Sequence, residues 1–206
     1  MRYTGPRNRI ARREKMDLGL KTPGSKSHAR LLKRLNVSPG QQGGRRKRKI
    51  SDHATQLREK QKLRFIFGIT ERQLKKYFSL AIQKKGNTAF YLAQFLERRL
   101  DNVMYRLGFA PTRAAARQLV SHGHVKVNDS VVRTPSYQVK FDDIITFSDE
   151  KSVRIPYIEK ALENKDVLLP KWFERKATLG KIIAEPNQEE VEKQINLRSV
   201  IEFYSR

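Results

Sequence analysis

The sequence predicts an α+β protein: a helical N-terminal region joined to a small module of two helices and a curled sheet. Three observations predict it. Apolar residues recur at helical spacing between 51 and 120. Period-two alternation of apolar and polar residues sets in after Gly123. The 11 Gly and 8 Pro stand mostly at the breaks between these stretches. The 206 residues then divide into a basic N-terminal arm (1–50), a helical region (51–95), the two-helix and sheet module (96–148), and an extension (149–206). The extension is expected to be mixed helix and hairpin and to pack on the helical region.

Residues 1–50 read as an extended arm with short helices, one of them from Ser27 to Leu35. Ser51 is the expected N-cap of a helix reaching about Phe67. Thr70-Glu71-Arg72-Gln73 fits a capping box, in which Thr70 accepts from the backbone and Gln73 reaches back. The helix it opens carries Leu74, Tyr77, Phe78, Ala81 and Ile82, one apolar stripe. Gly86 closes it and Asn87 caps the next. Leu96, Leu100, Val103, Met104 and Leu107 again share one helical face, ended by Gly108. Thr112 caps a second helix with Ala115, Ala116, Leu119 and Val120. Strand-like alternation follows at Val125, Val127 and Val131 around a turn at Asn128-Asp129. It resumes at Tyr137, Val139 and Phe141, with a turn at Asp142-Asp143 before Ile145 and Phe147. Beyond that come a helix from Tyr157 to Asn164, a hairpin from Trp172-Phe173 to Ala184, and a helix over Glu189 to Ile195. The apolar tail Val200-Ile201-Glu202-Phe203-Tyr204 is expected to dock, on the chain's own central helices or at a protein border, because free ends otherwise fray.

Charge narrows the partners. Forty-four Lys and Arg against 21 Asp and Glu give a formal net charge of +23. Self-repulsion at that charge weakens a compact state, so a polyanion is the expected partner: nucleic acid, an anionic membrane or an acidic protein. Residues 1–70 hold 20 Lys or Arg against 4 Asp or Glu, so this part carries the strongest basic footprint. No apolar run of 18 residues predicts a membrane span, and the start lacks a secretory apolar stretch, so a cytoplasmic chain is expected. The chain has no Cys, which excludes disulfides and cysteine zinc sites. His122 and His124, two apart, do not bring both rings to one metal, and no Walker-type loop or nucleophile elbow is present. No cofactor, metal or small-molecule substrate is expected, and no enzyme activity.

Candidate contacts follow from position. Arg113 and Arg117 lie four apart on one helical face, opposite Leu119 and Ala116, and are expected to meet the polyanion without carrying core packing. Thr112 places backbone N–H groups at the start of the same helix, a ready phosphate site. Gln118, Ser121, His122, Lys126 and Asn128 extend this surface toward the first strand. Arg98 and Arg99 have an alternative reading as ion-pair partners of Asp101 or Glu97, and Asp101 reads as a stabilising partner.

The stretches Glu97-Arg98-Arg99-Leu100-Asp101-Asn102-Val103, Thr112-Arg113-Ala114-Ala115-Ala116-Arg117-Gln118-Leu119-Val120-Ser121-His122 and Val125-Lys126-Val127-Asn128 resemble a small RNA-binding domain. It is named after ribosomal protein four and is shared with pseudouridine synthases and bacterial tyrosyl-tRNA synthetases. Pro39-Gly40-Gln41 with its basic run, Ser51-Asp52, Gln56 to Arg64, the start at Arg2-Tyr3 and the end at Phe203-Tyr204-Ser205-Arg206 extend the resemblance over nearly the whole chain. It is to bacterial members of the small-subunit ribosomal protein four family, here in a cysteine-free form to which zinc is not carried over. The family's usual glycine after the turn asparagine is Asp129. An RNA-modifying enzyme would need a catalytic domain larger than the 58 residues after the module.

The resemblance implies a structural constituent of the small ribosomal subunit, in the cytoplasm. It implies a primary binder of 16S rRNA that nucleates assembly of the subunit body and contributes to translational accuracy with small-subunit protein five. Other small-subunit proteins are implied neighbours. Arg45, Arg46, Lys47, Arg48 and Lys49 would then lie near the path by which messenger RNA enters. Arg2, Arg7, Arg9, Arg12, Arg13, Arg58, Lys62 and Arg99 complete the expected RNA-binding set.

Overall fold

The computed structural model describes residues 3–41, 43, 49–163, 169–186, 191 and 195–205. The chain forms two compact units, Met1–Leu92 with Glu189–Arg206, and Ala93–Gln188. The fold is α+β, as the patterning predicts.

The first unit is helical. Helix α1 spans Arg7–Glu14 and α2 spans Lys26–Lys33, the latter capped by the Ser25 side chain, which accepts from the His28 N–H. The arm is therefore folded rather than extended. Arg7 Nη1 donates to Leu20 O at 3.0 Å, and Arg12 Nε to Val37 O at 2.9 Å, while Ala11, Leu18 and Leu31 are buried. Only Ile10 and Ala11 of α1 are buried, too few to show a period in so charged a segment.

Helix α3 (Asp52–Ile66) starts at its Ser51 cap, and α4 (Glu71–Gln83) opens with the complete Thr70–Gln73 capping box. Leu74, Tyr77, Phe78 and Ala81 are buried on α4, but Ile82 is exposed and lies outside the stripe. Helix α5 (Thr88–Glu97) begins where Asn87 Oδ1 accepts from Ala89 N at 2.9 Å.

In the second unit the expected continuous helix through Leu96 and Leu107 is broken. Helix α5 ends at Glu97 and α6 spans Leu100–Arg106. Between them Arg99 is extended (φ −67°, ψ 134°) and forms a β-bridge with Gln138. Leu100 N donates to Tyr137 O and Val139 N to Arg98 O, each at 2.9 Å. That bridge is all that forms of the strand expected at Tyr137 to Phe141. Val139 is buried there, and Phe141 is 64% exposed. Helix α7 (Arg113–Ser121) starts at its Thr112 cap and stops before Gly123, whose φ is +82°.

Strands β1 (Val125–Val127), β2 (Ser130–Val131), β3 (Ile144–Phe147), β4 (Phe173–Lys176) and β5 (Leu179–Ile182) form one antiparallel sheet in the order β2-β1-β3-β5-β4. The hairpin expected in the extension is present, but it extends this sheet, pairing Ile145 with Gly180. Residues 149–186 thus belong with the module, including the short helices α8 (Glu150–Val153) and α9 (Pro156–Glu163). Of the extension, only its end joins the helical unit, through α10 (Leu197–Ser205). The helix expected over Glu189 to Ile195 lies largely outside the described residues.

Asn128 (φ 49°) and Asp129 (φ 66°) both take left-handed backbone in the two-residue β1–β2 turn, as a type I′ hairpin requires. An L-residue there carries strain that glycine lacks, partly offset by glycine's freer unfolded chain. Asp129→Gly is therefore expected to stabilise the second unit by about 0.5 kcal/mol, read as a higher urea midpoint at unchanged slope.

Candidate nucleic-acid interface

A layer of buried charge organises the second unit. Glu97 is fully buried, and its carboxylate accepts from Arg106 Nε (3.0 Å) and Nη2 (2.8 Å) as a two-point pair. Its Oε2 also accepts from Asn102 Nδ2 at 2.7 Å. Asn102 Oδ1 in turn accepts from Arg113 Nε at 2.8 Å, and the Arg113 guanidinium lies 4.5 Å from the Tyr105 ring centre. Asp101 receives Arg99 Nε (3.0 Å) and Nη2 (2.7 Å), and Arg117 Nη1 at 3.3 Å. Three guanidinium groups thus bond two carboxylates directly, and a fourth, that of Arg113, is held through Asn102. Burial pulls the Arg113 guanidinium below its ordinary pKa, against the charge of Glu97.

This layer corrects two expectations. Arg99 has no exposed surface and is paired with Asp101, so it is a fold residue and not a contact for RNA. Arg113 and Arg117 share a helix face as expected, yet both bond side chains of α6, so they also help to hold α7 in place. The role of Asn102 was not legible: its bonds cross the break between α5 and α6, where helical spacing says nothing.

Around this layer, Gln118, Ser121 and His122 are exposed at the end of α7, and Lys126 is partly exposed on β1. Thr112 is buried and its hydroxyl accepts from Ala115 N at 3.2 Å, so its part is the helix start itself. Asn128 is a turn staple: Nδ2 donates to Asp143 Oδ1 at 2.8 Å and Oδ1 accepts from Ile144 N at 2.9 Å. Its side chain is engaged at both ends, so the structure gives it a fold role. His124 pairs with Ser152 Oγ at 2.9 Å.

In the helical unit, Arg7 and Arg12 bond backbone carbonyls, while Arg9, Arg13 and Lys49 are exposed. Arg58 and Lys62 lie one turn apart on α3 and line a cleft of about 350 Å³. Arg2, Arg45, Arg46, Lys47 and Arg48 lie outside the described residues. Among the described residues, no group of three or more His, Asp or Glu is placed to hold a metal ion, and no helix is long and apolar enough to cross a membrane.

The chain is similar to known proteins over its whole length. Residues 2–97 match the family described as Ribosomal protein S4/S9 N-terminal domain, and residues 98–145 match the S4 domain. Small ribosomal subunit protein uS4 of Aquifex aeolicus (strain VF5) is 47% identical over 214 residues, covering 100% of this chain and 99% of that protein. The uS4 proteins of Xanthomonas campestris pv. campestris (strain B100) and Xanthomonas oryzae pv. oryzae (strain PXO99A) are each 46% identical over 209 residues, with the same coverage.

Proposed function

We propose that this chain, which belongs to the uS4 family of small ribosomal subunit proteins, is a primary binder of 16S rRNA that nucleates assembly of the subunit body. The membership itself makes it a structural ribosomal protein with an RNA-binding S4 domain, in a family of ribosomal proteins rather than enzymes. The observation that carries the finer reading is the layer in which Asn102 and Asp101 hold Arg113 and Arg117. Side chains fixed by hydrogen bonds lose little further freedom when a phosphate arrives, so recognition of folded RNA by shape and phosphate is favoured. The strongly basic residues 1–70 add attraction that is independent of sequence.

The same reading assigns a border with small-subunit protein five, an effect on decoding accuracy, and a place beside the path by which messenger RNA enters. It rests on the family resemblance and on the basic run that ends at Lys49.

Salt dependence of rRNA binding tests the reading. Each phosphate neutralised contributes about −0.7 to −0.9 to the slope of log affinity on log salt. Arg113→Ala with Arg117→Ala is expected to make the slope shallower by about 1.5 at matched helical circular dichroism. Arg113→Lys with Arg117→Lys should retain the slope and lose affinity, because a lysine cannot reproduce the guanidinium's fixed fork. An unchanged slope in the alanine variant would refute the assignment, as would equal affinity of the native chain for 16S rRNA and random RNA.

A further inference from the structure

The cleft in the helical unit contains more than a phosphate site would. Arg13, Lys15, Arg58 and Lys62 supply four cations, but Glu14 and Glu59 line the same space, with Ile50 forming part of an apolar wall. A bare phosphate would be repelled by both carboxylates. Glu59 is engaged: it holds Lys62 Nζ and accepts from Asn196 N at 3.1 Å. Glu14 is different. It is half-buried, burial raises its pKa, and Arg58, Lys62 and Arg13 offset that through charge alone, with no hydrogen bond among the described residues. It is also the last residue of α1, where the negative end of the helix dipole disfavours a carboxylate. Lys15, next in the chain, takes a left-handed φ of 53°, a strained conformation for a non-glycine residue at the mouth of a cleft.

A partly dehydrated carboxylate with open acceptor positions fits a ligand edge carrying two adjacent N–H donors. The surrounding cations fit an anion attached to that edge. Among the nucleobases, guanine offers this edge, through N1–H and the 2-amino group. Adenine and cytosine present one amino group beside an acceptor, and uracil one N–H between two carbonyls. A volume at the small end of ligand pockets suits a single unstacked nucleotide and not a helix. We propose that this cleft takes one extrahelical guanine of a bound RNA, with Glu14 accepting from its Watson–Crick edge and Arg13, Lys15, Arg58 and Lys62 neutralising the flanking phosphates. The proposal rests on the RNA-binding reading and adds base selectivity to a region otherwise read as binding phosphate alone.

The test uses the full chain and single-stranded pentanucleotides of uridine with guanine, inosine, adenine or uracil at the centre. The guanine probe should bind about tenfold more tightly than the adenine probe, with inosine, which lacks the 2-amino group, between them. Glu14→Gln should abolish that order, and affinity for the all-uridine probe should rise, because a carboxylate that repels its phosphates is gone. GMP, and not AMP, should displace the guanine probe. Equal binding of the guanine and adenine probes by the native chain overturns the proposal without any variant. A preference that survives Glu14→Gln overturns the role of that carboxylate. GMP binding without a guanine preference among the pentanucleotides would assign the cleft to a free nucleotide and overturn the RNA site. Titration of 16S rRNA in the same series separates the two readings: its salt slope reports the general RNA interface whether or not the guanine order appears.

Discussion

Glu97→Ala is expected to destabilise the second unit by about 3–5 kcal/mol, the cost of removing one partner from a buried charge pair. Glu97 is fully buried, and it is the common acceptor for Arg106 and Asn102. Removing it takes the carboxylate from the partly buried Arg106 guanidinium and from the buried Asn102 amide, and it frees Asn102 from the position in which it accepts from Arg113. Trp172 is the chain's single tryptophan and is buried in this unit, so its fluorescence in a urea titration reports this unit specifically. Glu97→Gln, which keeps the side chain's shape and one acceptor oxygen, should lose clearly less. A loss below about 1 kcal/mol for alanine would mean that the layer is no stronger than a surface pair.

Deleting Val200 to Arg206 is the second large effect. Val200 is fully buried, Tyr204 stacks on Phe78 with ring centres 4.8 Å apart, and Phe203 lies under Lys60 Nζ at 4.3 Å. The Tyr204 hydroxyl donates to Glu71 Oε1 at 2.6 Å, and Lys60 donates to the same oxygen at 3.0 Å. Of the two docking sites open to the tail in the sequence, the chain's own helices are the one it occupies. At about 1.5–3 kcal/mol per buried apolar side chain, the deletion should cost the helical unit about 5 kcal/mol, enough to unfold it. Amide hydrogen exchange along α3 should therefore rise toward the unprotected rate. Unchanged protection there would show that α10 does not hold this unit together.

Tyr204→Phe separates packing from the hydrogen bond. Burial works to raise the Glu71 pKa, but the hydrogen bonds from Tyr204 and Lys60 prevail and hold it below its ordinary value. A carboxyl depressed in the folded state contributes stability that is present above its unfolded pKa and is lost as pH falls through the lowered value. The acid limb of the stability profile should therefore flatten in Tyr204→Phe. Misreading assays of the decoding proposal should use this variant, because the deletion would confound accuracy with folding.

Much of the helical region was legible because its signals are local. Ser51, Thr70 with Gln73, Asn87 and Thr112 each cap the helix that follows, as their positions require. The Asn128-Asp129 turn and the valine alternation likewise mark the first hairpin. What stayed hidden lacked a period. Helix α1 has two buried residues among many charges, and α3 places Gln56 and Lys60 at positions of its buried stripe, Gln56 paired with Glu202 far along the chain and Lys60 with Glu71 on the next helix.

The α+β class, the helix starts, the basic character and the family can all be read before any fold is known. Each of these is written in spacing, in capping chemistry or in ordered motifs. The break at Arg99, the pairing of the late hairpin with β3, the docking of α10, and the division of the arginines into walls and surface depend on contacts made only in the folded chain. Arg99, Arg113 and Arg117 are the same residue type within nineteen positions, and nothing local distinguishes them. Arg99 is sealed because an extended residue joins Gln138, far along the chain, and turns its guanidinium onto Asp101. A charge's role depends on whether water or a carboxylate surrounds it, and only the folded chain sets that surrounding.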